Sequence, residues 1–196
     1  MADPRPARTR QQLLSAAHRL IVEKGVAGLR IAEITEQADV ALGSFYNHFA
    51  TKDELVEAVV ADALASLAAD IIPAEPISGD AAVAAITALR RFVRLAYDDV
   101  PFSRLLVNLS RGEEVFLAAI SPFAHTALER AAGEGLFEIE DVDVAVATIV
   151  GGGLSLIRLI LDGQLEPNAD AVYARMVLRS FGVKPREAAR IIERSQ

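Results

Sequence analysis

The 196-residue sequence has no cysteine and no tryptophan, and only 6% of its residues are aromatic. The lack of cysteine excludes disulfide scaffolds, cysteine nucleophiles and thiolate metal sites. Eight prolines and twelve glycines are too few for a collagen-like or low-complexity chain. The opening MADPRPARTRQQ contains no apolar run of the signal-peptide type. The longest uncharged apolar stretch, residues 144–157, is shorter than the ~20 residues of a membrane span, so we expect a buried helix in a cytoplasmic protein.

Hydrophobic residues make up 52% of the chain, enough for a sizeable core in one large or two small domains. The charge is unevenly distributed: residues 1–52 carry a net +2, and the remainder carries −9. A slightly basic segment joined to an acidic body is compatible with a small nucleic-acid-binding module. Proteins that bind no nucleic acid often show an asymmetry of the same size.

Apolar residues recur at helical spacing along almost the whole chain. Residues 13–21 line one face of a first helix, whose start is predicted by a capping-box pair, Thr9 and Gln12, and whose end is predicted by Gly25. Further short helices are predicted over 31–38 and 42–48, and a longer one from a second capping box at 51–54 to about residue 70. No strand-like alternation persists, so the sequence predicts an all-α protein of about nine or ten helices.

Residues 71–80, IIPAEPISGD, contain two prolines and a glycine and are the best linker candidate. Beyond them we predict helices at 80–99, 102–110, 113–133, 141–163, 168–181 and 184–194. Pro122 lies inside the third of these helices and should kink or split it.

Signatures of catalysis and of metal binding are absent or incomplete in the sequence. His18, His48 and His125 are far apart and lack metal-binding spacing. Residues 151–157, GGGLSLI, contain neither a complete nucleophile elbow nor a phosphate-binding loop. The acidic residues between 138 and 143 fit the first turn of the following helix better than a cation site. We therefore expect no metal, no cofactor and no enzymatic activity.

Residues 30–55 carry the strongest local signal, because two short helices joined by a tight turn follow a longer helix, as in a helix-turn-helix unit. On a helical wheel Phe45 and Phe49 share the inward face. Gly43, Ser44 and Asn47 lie on the outer face, which is small, polar and nearly uncharged. Such a face suits close approach to phosphates and base edges in a DNA major groove. For Tyr46 and His48 the alternative is half-buried packing against the first helix.

This segment resembles the DNA-binding domain of the tetracycline-repressor (TetR) family of bacterial transcription regulators, through the pattern G-[ST]-x-Y-x-[HY]-F-x-x-K-x-x-L. The resemblance covers about the first 55 residues, and the later helices match only in number and length. The matching residues are Thr9, Ala16, Ala17, Gly25, Ile31, Ile34, Ala38, Val40, Gly43, Ser44, Phe45, Tyr46, His48, Phe49, Lys52, Glu54 and Leu55.

The resemblance implies a helix-turn-helix DNA-binding domain over 1–55 and a ligand-binding and dimerisation domain over 56–196. It further implies a homodimeric repressor that binds a palindromic operator in double-stranded DNA and is released by a small-molecule inducer. The DNA-contacting residues are then Arg30, Leu42, Gly43, Ser44, Tyr46, Asn47, His48, Thr51 and Lys52.

Three of the residues in this segment depart from the family pattern. Arg30 stands where a capping threonine is usual, but its side chain can reach a phosphate. Asp39 replaces the turn glycine, and Leu42 replaces a residue that is frequently polar, where it can contact a thymine methyl group. These departures do not change the predicted fold. They do alter residues expected to contact DNA, so the resemblance does not predict the operator sequence.

For the C-terminal body, two apolar helices at about 142–161 and 168–181 are expected to meet their copies in a four-helix dimer interface; the alternative is an ordinary monomer core. Glycines 151–153 suggest close backbone approach to another helix. An inducer pocket would use Phe92, Tyr97, Phe102, Phe116, Ser121, Phe123 and His125, although phenylalanines at helical spacing also occur in plain cores. The alternative function is a small-molecule-binding enzyme or carrier with a non-functional DNA-binding head.

Overall fold

The computed structural model describes residues 4–71, 81–109 and 111–195. Within these ranges it contains ten α-helices and no strand, which confirms the all-α prediction. The helices are α1 (Pro4–Lys24), α2 (Ile31–Gln37), α3 (Leu42–Tyr46), α4 (Lys52–Ile71), α5 (Ala81–Asp98), α6 (Val100–Asn108), α7 (Gly112–Gly133), α8 (Val142–Leu161), α9 (Ala169–Ser180) and α10 (Pro185–Arg194). Apart from Ile71, the last residue of α4, the predicted linker lies outside the described residues.

The chain divides into two compact units, Met1–Ala63 and Leu64–Gln196. The division falls inside α4, eight residues beyond the boundary expected at residue 55.

In the first unit, α1 packs on α2 and α2 packs on α3. The predicted start of α1 at Thr9 is wrong, because the helix begins at Pro4. Proline suits the first turn of a helix, because N–H groups there have no acceptor within the helix and the lack of one costs no hydrogen bond. Gln12 caps nothing, and its side-chain amide donates to the carbonyl of Ala38 at 3.4 Å. The predicted end is confirmed, since Gly25 follows α1 with a φ of +72°, a conformation that glycine adopts without penalty.

The turn between α2 and α3 passes through Asp39, whose φ of 53° is left-handed. Aspartate tolerates this conformation better than most non-glycine residues, so it can take the place of the usual glycine. The capping box that starts α4 is confirmed: Thr51 Oγ1 accepts from the N–H of Glu54 at 3.1 Å. The Glu54 carboxylate accepts from the N–H of Ala50 at 2.7 Å, so the reciprocal bond of the box is displaced by one residue from Thr51.

In the second unit, α5 packs against α7, α8 and α9. The six helices of this unit begin and end within a few residues of their predicted positions. Pro122 was expected to kink or split α7; the split is wrong, because α7 runs through this residue. Phe116 and Ile120 before the proline and Leu128 after it are all buried, and this packing offsets the hydrogen bond that proline removes.

A buried charge pair joins three helices of the second unit. Arg90 of α5 donates from Nε to Asp170 Oδ2 of α9 at 2.8 Å, and the two side chains are only 11% and 2% exposed. The Arg90 Nη1 atom donates to the carbonyl oxygens of Ile192 and Ser195, both at 2.9 Å. Arg90 therefore holds the C-terminal end of α10 against α5 and α9.

Helix α8 begins at Val142, and the side chain of Asp141 just before it accepts from the N–H of Val144 at 3.0 Å. This agrees with the expectation that the acidic residues here serve the start of the following helix. Within the described part of the chain, α8 is the one helix whose length and composition would allow it to cross a membrane. Only 33% of its most apolar window is buried within the chain. In a single copy α8 is therefore only partly buried.

The close approach expected at the glycine triplet occurs at Gly152, and it involves a side chain rather than another backbone. A Cβ atom at Gly152 would collide with the hydroxyl group of Tyr173 on α9. That hydroxyl donates to the carbonyl of Ile149 at 2.8 Å. Burial raises the pKa of Tyr173 to about 12, so the group is a neutral hydrogen-bond donor at physiological pH.

Candidate nucleic-acid interface and internal cavity

Helix α3 is fixed to the first unit by two aromatic side chains. Phe45 and Phe49 are 0% and 2% exposed, and their ring centroids lie 5.8 Å apart. The guanidinium carbon of Arg10 on α1 lies 5.3 Å from the centroid of the Phe49 ring, within cation–π range. The inward face predicted for these phenylalanines is confirmed.

The outer face of α3 is open. Leu42 and Tyr46 are 53% and 58% exposed, and Asn47, the residue that ends the helix, is also exposed. A Cβ atom at Gly43 would meet no heavy atom within 4 Å, so nothing in the described part of the chain covers this point. Ser44 is half-buried. This face combines a small central residue with polar and apolar tips, which is the composition that close contact with a DNA groove requires.

Tyr46 and His48, for which packing against the first helix was the alternative, differ in their exposure to solvent. The Tyr46 ring makes an edge-to-face contact with Phe45, with centroids 5.2 Å apart, but remains largely exposed. His48 is half-buried. One side of Tyr46 is therefore fixed by the core while the rest of the ring is free to contact a ligand.

The remaining predicted contact residues lie at the ends of α2 and α4. Arg30 is exposed, precedes α2 and makes no side-chain cap hydrogen bond. Lys52 Nζ donates to the carbonyl of Leu29 at 3.4 Å, which brings its charge next to Arg30. Thr51 is exposed but uses its hydroxyl in the α4 cap.

Lys24 is paired within the unit, because it forms an ion pair with Glu33. Its hydrogen bond to Glu33 holds the pKa of that carboxyl below its ordinary value. The charge of Lys24 is therefore partly neutralised by its neighbour.

A polar groove of about 440 Å³, which no sequence pattern predicted, is formed by α1 and the end of α2. Its lining residues are Arg8, Gln11, Gln12, Ser15, Arg19, Gln37, Ala38 and Asp39. The net positive charge of residues 1–52 includes Arg8 and Arg19. No sequence pattern, however, indicates that these two residues lie beside the end of α2.

The second unit contains an internal cavity of about 60 Å³ among α5, α7, α8 and α9. The side chains that line it are Ala85, Ile86, Ala88, Leu89, Phe92, Val93, Phe116, Ile120, Ala124, Ala127, Leu128, Phe137, Ile149, Val150, Gly153, Val177 and Phe181. Two of the predicted pocket residues, Phe92 and Phe116, are among them, and their rings meet edge to face with centroids 5.8 Å apart.

The other predicted pocket residues do not line this cavity. The Tyr97 hydroxyl donates to the carbonyl of Glu166 at 2.8 Å. The His125 Nε2 atom lies 2.9 Å from Asp143 Oδ1. Phe102, Ser121 and Phe123 are half-buried elsewhere in the unit.

An apolar surface remains exposed on α8 and α9, the helices predicted to form a dimer interface. Val144 of α8 is 62% exposed, and Val172 and Met176 of α9 are 42% and 64% exposed. An open groove of about 890 Å³ borders this surface and includes Val144 and Met176 in its walls. Exposed apolar residues clustered in this way are typical of a protein–protein contact.

Two family models match the chain, and together they cover most of it. "Bacterial regulatory proteins, tetR family" matches residues 13–59, and "Tetracyclin repressor-like, C-terminal domain" matches residues 80–194. The chain therefore belongs to the TetR family of transcriptional regulators. It combines a DNA-binding helix-turn-helix domain with a C-terminal ligand-binding domain. Regulators of this family bind operator DNA and small-molecule ligands, typically as dimers, and are in general soluble cytoplasmic proteins.

Solved structures and curated relatives agree with this assignment. The crystal structure of RolR in complex with resorcinol is 30% identical, with a TM-score of 0.81, and the match covers 97% of this chain and 95% of that one. The regulator SrpR of Pseudomonas putida is 28% identical over 94% of this chain and 88% of its own. The regulator TtgR, also of Pseudomonas putida, is 44% identical over 52 residues, a match that spans 26% of this chain and only a quarter of the length of TtgR.

Proposed function

We propose that this chain is a homodimeric repressor that binds a palindromic operator and is released when a small molecule occupies the cavity of the second unit. The observation that carries the proposal is the open outer face of α3, which is fixed from behind by Phe45 and Phe49. A side-chain surface that is rigidly supported and yet uncovered can enter a major groove without repacking the core.

The proposed DNA contacts divide into two kinds. Leu42, Tyr46 and Asn47 are exposed on or next to α3 and would face base edges and nearby phosphates, with Gly43 permitting close approach. The residues that would contact the DNA sugar–phosphate backbone or lie beside the major groove are Arg30, Ser44, His48, Thr51 and Lys52. Arg8 and Arg19 of the α1–α2 groove supply further positive charge for phosphates.

Dimerisation through α8 and α9 would cover their exposed apolar surface. An interface formed by the same patch of both copies is self-complementary and has two-fold symmetry. A two-fold dimer places its recognition helices about 34–36 Å apart, one turn of DNA, which is why the operator should be palindromic.

Release by a ligand requires that the ligand bind better to the form with low operator affinity. Helix α4 contains the division between the two units, so it is the element through which we propose that the cavity and α3 are coupled. A hundredfold difference in ligand affinity between the two forms corresponds to about 2.7 kcal/mol, and operator DNA then weakens ligand binding by the same factor.

We propose no enzymatic role. The cavity walls carry no acid, base or nucleophile, since their side chains are all alkyl or phenyl groups. The protein would act in the cytoplasm, where its operator is accessible.

Binding to the DNA upstream of the chain's own reading frame tests the proposal. We expect two protected half-sites in a footprint, and an affinity that falls steeply with salt because Lys and Arg contacts release counterions. Tyr46→Ala should weaken binding at least tenfold with little change in unfolding temperature, since the ring is 58% exposed. Val22→Ala, at an exposed apolar residue of α1, is the matched control. Undetectable or salt-independent binding, or an unaffected Tyr46→Ala variant, would contradict the proposal.

A further inference from the structure

We propose that the cavity of the second unit selects a monocyclic aromatic hydrocarbon, such as toluene, over hydroxylated rings of similar size. This inference rests on the proposed ligand-controlled function and adds the chemical class of the ligand. It follows from the composition, volume and aromatic content of the cavity walls.

The walls provide no side-chain hydrogen-bonding group. All their residues are alanine, valine, leucine, isoleucine, phenylalanine or glycine. Two polar side chains on the helices that form the cavity are engaged elsewhere: the Tyr173 hydroxyl donates to the carbonyl of Ile149, and Arg90 is bound to Asp170. A hydroxyl group that entered this cavity would lose its hydrogen bonds to water without finding a side-chain partner.

The volume favours the smallest aromatic ligands, because even one ring requires the walls to move. The cavity measures about 60 Å³, less than half of the roughly 150 Å³ of an engineered apolar protein cavity that binds benzene. A ring can enter only if flexible walls such as Leu89 and Leu128 move aside, and a larger ligand would need correspondingly more displacement. This requirement links occupation of the cavity to a change in the packing of α5 and α7.

The aromatic content of the walls favours a ring over an alkane. Phe92 and Phe116 meet edge to face at 5.8 Å, while Phe137 and Phe181 are tilted by 40° at a centroid distance of 5.2 Å. Both pairs line the cavity, so an inserted ring meets phenyl groups contributed by different parts of the unit. Edge-to-face and offset contacts of this kind stabilise aromatic pairs beyond simple burial.

The similarity to RolR makes hydroxyl discrimination a sharp test. A RolR structure contains resorcinol, a benzene ring with two hydroxyl groups. In this chain's cavity each hydroxyl should weaken binding by about tenfold, which corresponds to about 1.4 kcal/mol. Resorcinol should therefore bind about a hundredfold more weakly than benzene.

Gly153 offers a variant that fills the cavity without breaking the fold. A Cβ atom there would have Val93 Cγ2, at 4.0 Å, as its nearest neighbour, so the methyl group of Gly153→Ala fits and occupies cavity space. Gly133→Ala on α7 is the matched control, because its Cβ atom would meet nothing within 4 Å and the residue is exposed and outside the cavity. Both changes favour the helix, so neither should unfold the protein.

The experiment is calorimetric titration of the full-length protein with toluene, benzene, phenol and resorcinol, with each variant checked by circular dichroism. We expect toluene and benzene to bind, phenol to bind about tenfold more weakly than benzene, and resorcinol more weakly still. Gly153→Ala should weaken toluene binding at least tenfold, whereas Gly133→Ala should bind like the parent. Absence of toluene binding, equal or tighter binding of resorcinol, or unchanged toluene binding by a folded Gly153→Ala variant would overturn the inference.

An operator-binding assay with and without toluene separates this inference from the proposed function. If the protein binds its operator but not toluene, the ligand class is wrong and the proposed DNA-binding role stands. If toluene binds with the expected preference but operator DNA does not bind, or is not released, the repressor role fails and the ligand class stands.

Discussion

Replacing Arg90 by alanine should reduce the free energy of unfolding by about 3–5 kcal/mol, the usual cost of breaking a buried ion pair by removing one partner. The change leaves the Asp170 carboxylate, whose side chain is 2% exposed, without the guanidinium at 2.8 Å. It also removes the Nη1 donor from the carbonyl oxygens of Ile192 and Ser195 at the end of α10. Both effects act in the same direction, because buried polar groups lose partners that water cannot replace.

Urea unfolding followed by far-ultraviolet circular dichroism measures this loss. With a slope of about 2 kcal/mol per molar urea, a loss of about 4 kcal/mol lowers the midpoint by about 2 M. Protein concentration must be held constant, because the stability of a dimer depends on it. Arg91→Ala, one residue further along α5 and exposed, is the matched control and should change stability by less than about 0.5 kcal/mol.

A double variant, Arg90→Met with Asp170→Leu, distinguishes charge pairing from simple packing. Removing both charges also removes the unpaired carboxylate, so most of the stability lost in Arg90→Ala should return. A structural role for the buried ion pair is excluded if Arg90→Ala costs no more stability than Arg91→Ala, or if the double variant is as unstable as Arg90→Ala.

Two further predictions concern α8 and α9. Gly152→Ala should destabilise the protein by about 1–3 kcal/mol in urea unfolding, because the new methyl group collides with the Tyr173 hydroxyl. Adding Tyr173→Phe should restore part of that loss, and a double variant less stable than Gly152→Ala would show that the collision is not the cause. Met176→Arg should convert the proposed dimer to monomer in sedimentation velocity, because it places a charge in the apolar surface. Val22→Arg, an equally drastic change at a residue 76% exposed on α1, should leave the dimer intact, and a dimeric Met176→Arg protein would exclude this surface as the interface.

The sequence predicted features that depend on neighbouring residues. Helix ends, the capping box of α4 and the inward face shared by Phe45 and Phe49 follow from spacing and capping within a few positions. Predictions from capping and proline patterns were wrong where the sequence allowed two different helix boundaries. Thr9 could cap a helix, yet Pro4 allowed α1 to start earlier, and the packing of α7 carried that helix through Pro122.

The exposed face of α3 could be described from the sequence more fully than the cavity. The recognition pattern is contiguous, so its exposed and buried faces can be read from one short helix. The cavity brings together residues from α5, α7, α8 and α9, and most of its walls are alanine, valine, leucine or isoleucine, which look the same as any core residue. Phe92 and Phe116 face it while Phe102 and Phe123 do not, although all four stand in apolar helices.

The helical class of this protein, most of its helix boundaries and the exposed face of α3 therefore follow from the sequence alone, because periodicity and capping are short-range effects. Three features could be seen only in the folded protein: Arg90 pairs with Asp170, 80 residues away, Tyr173 lies against Gly152, and residues of four helices enclose the cavity. These contacts depend on how helices distant in sequence pack together, and that packing is set by the shape of the whole unit.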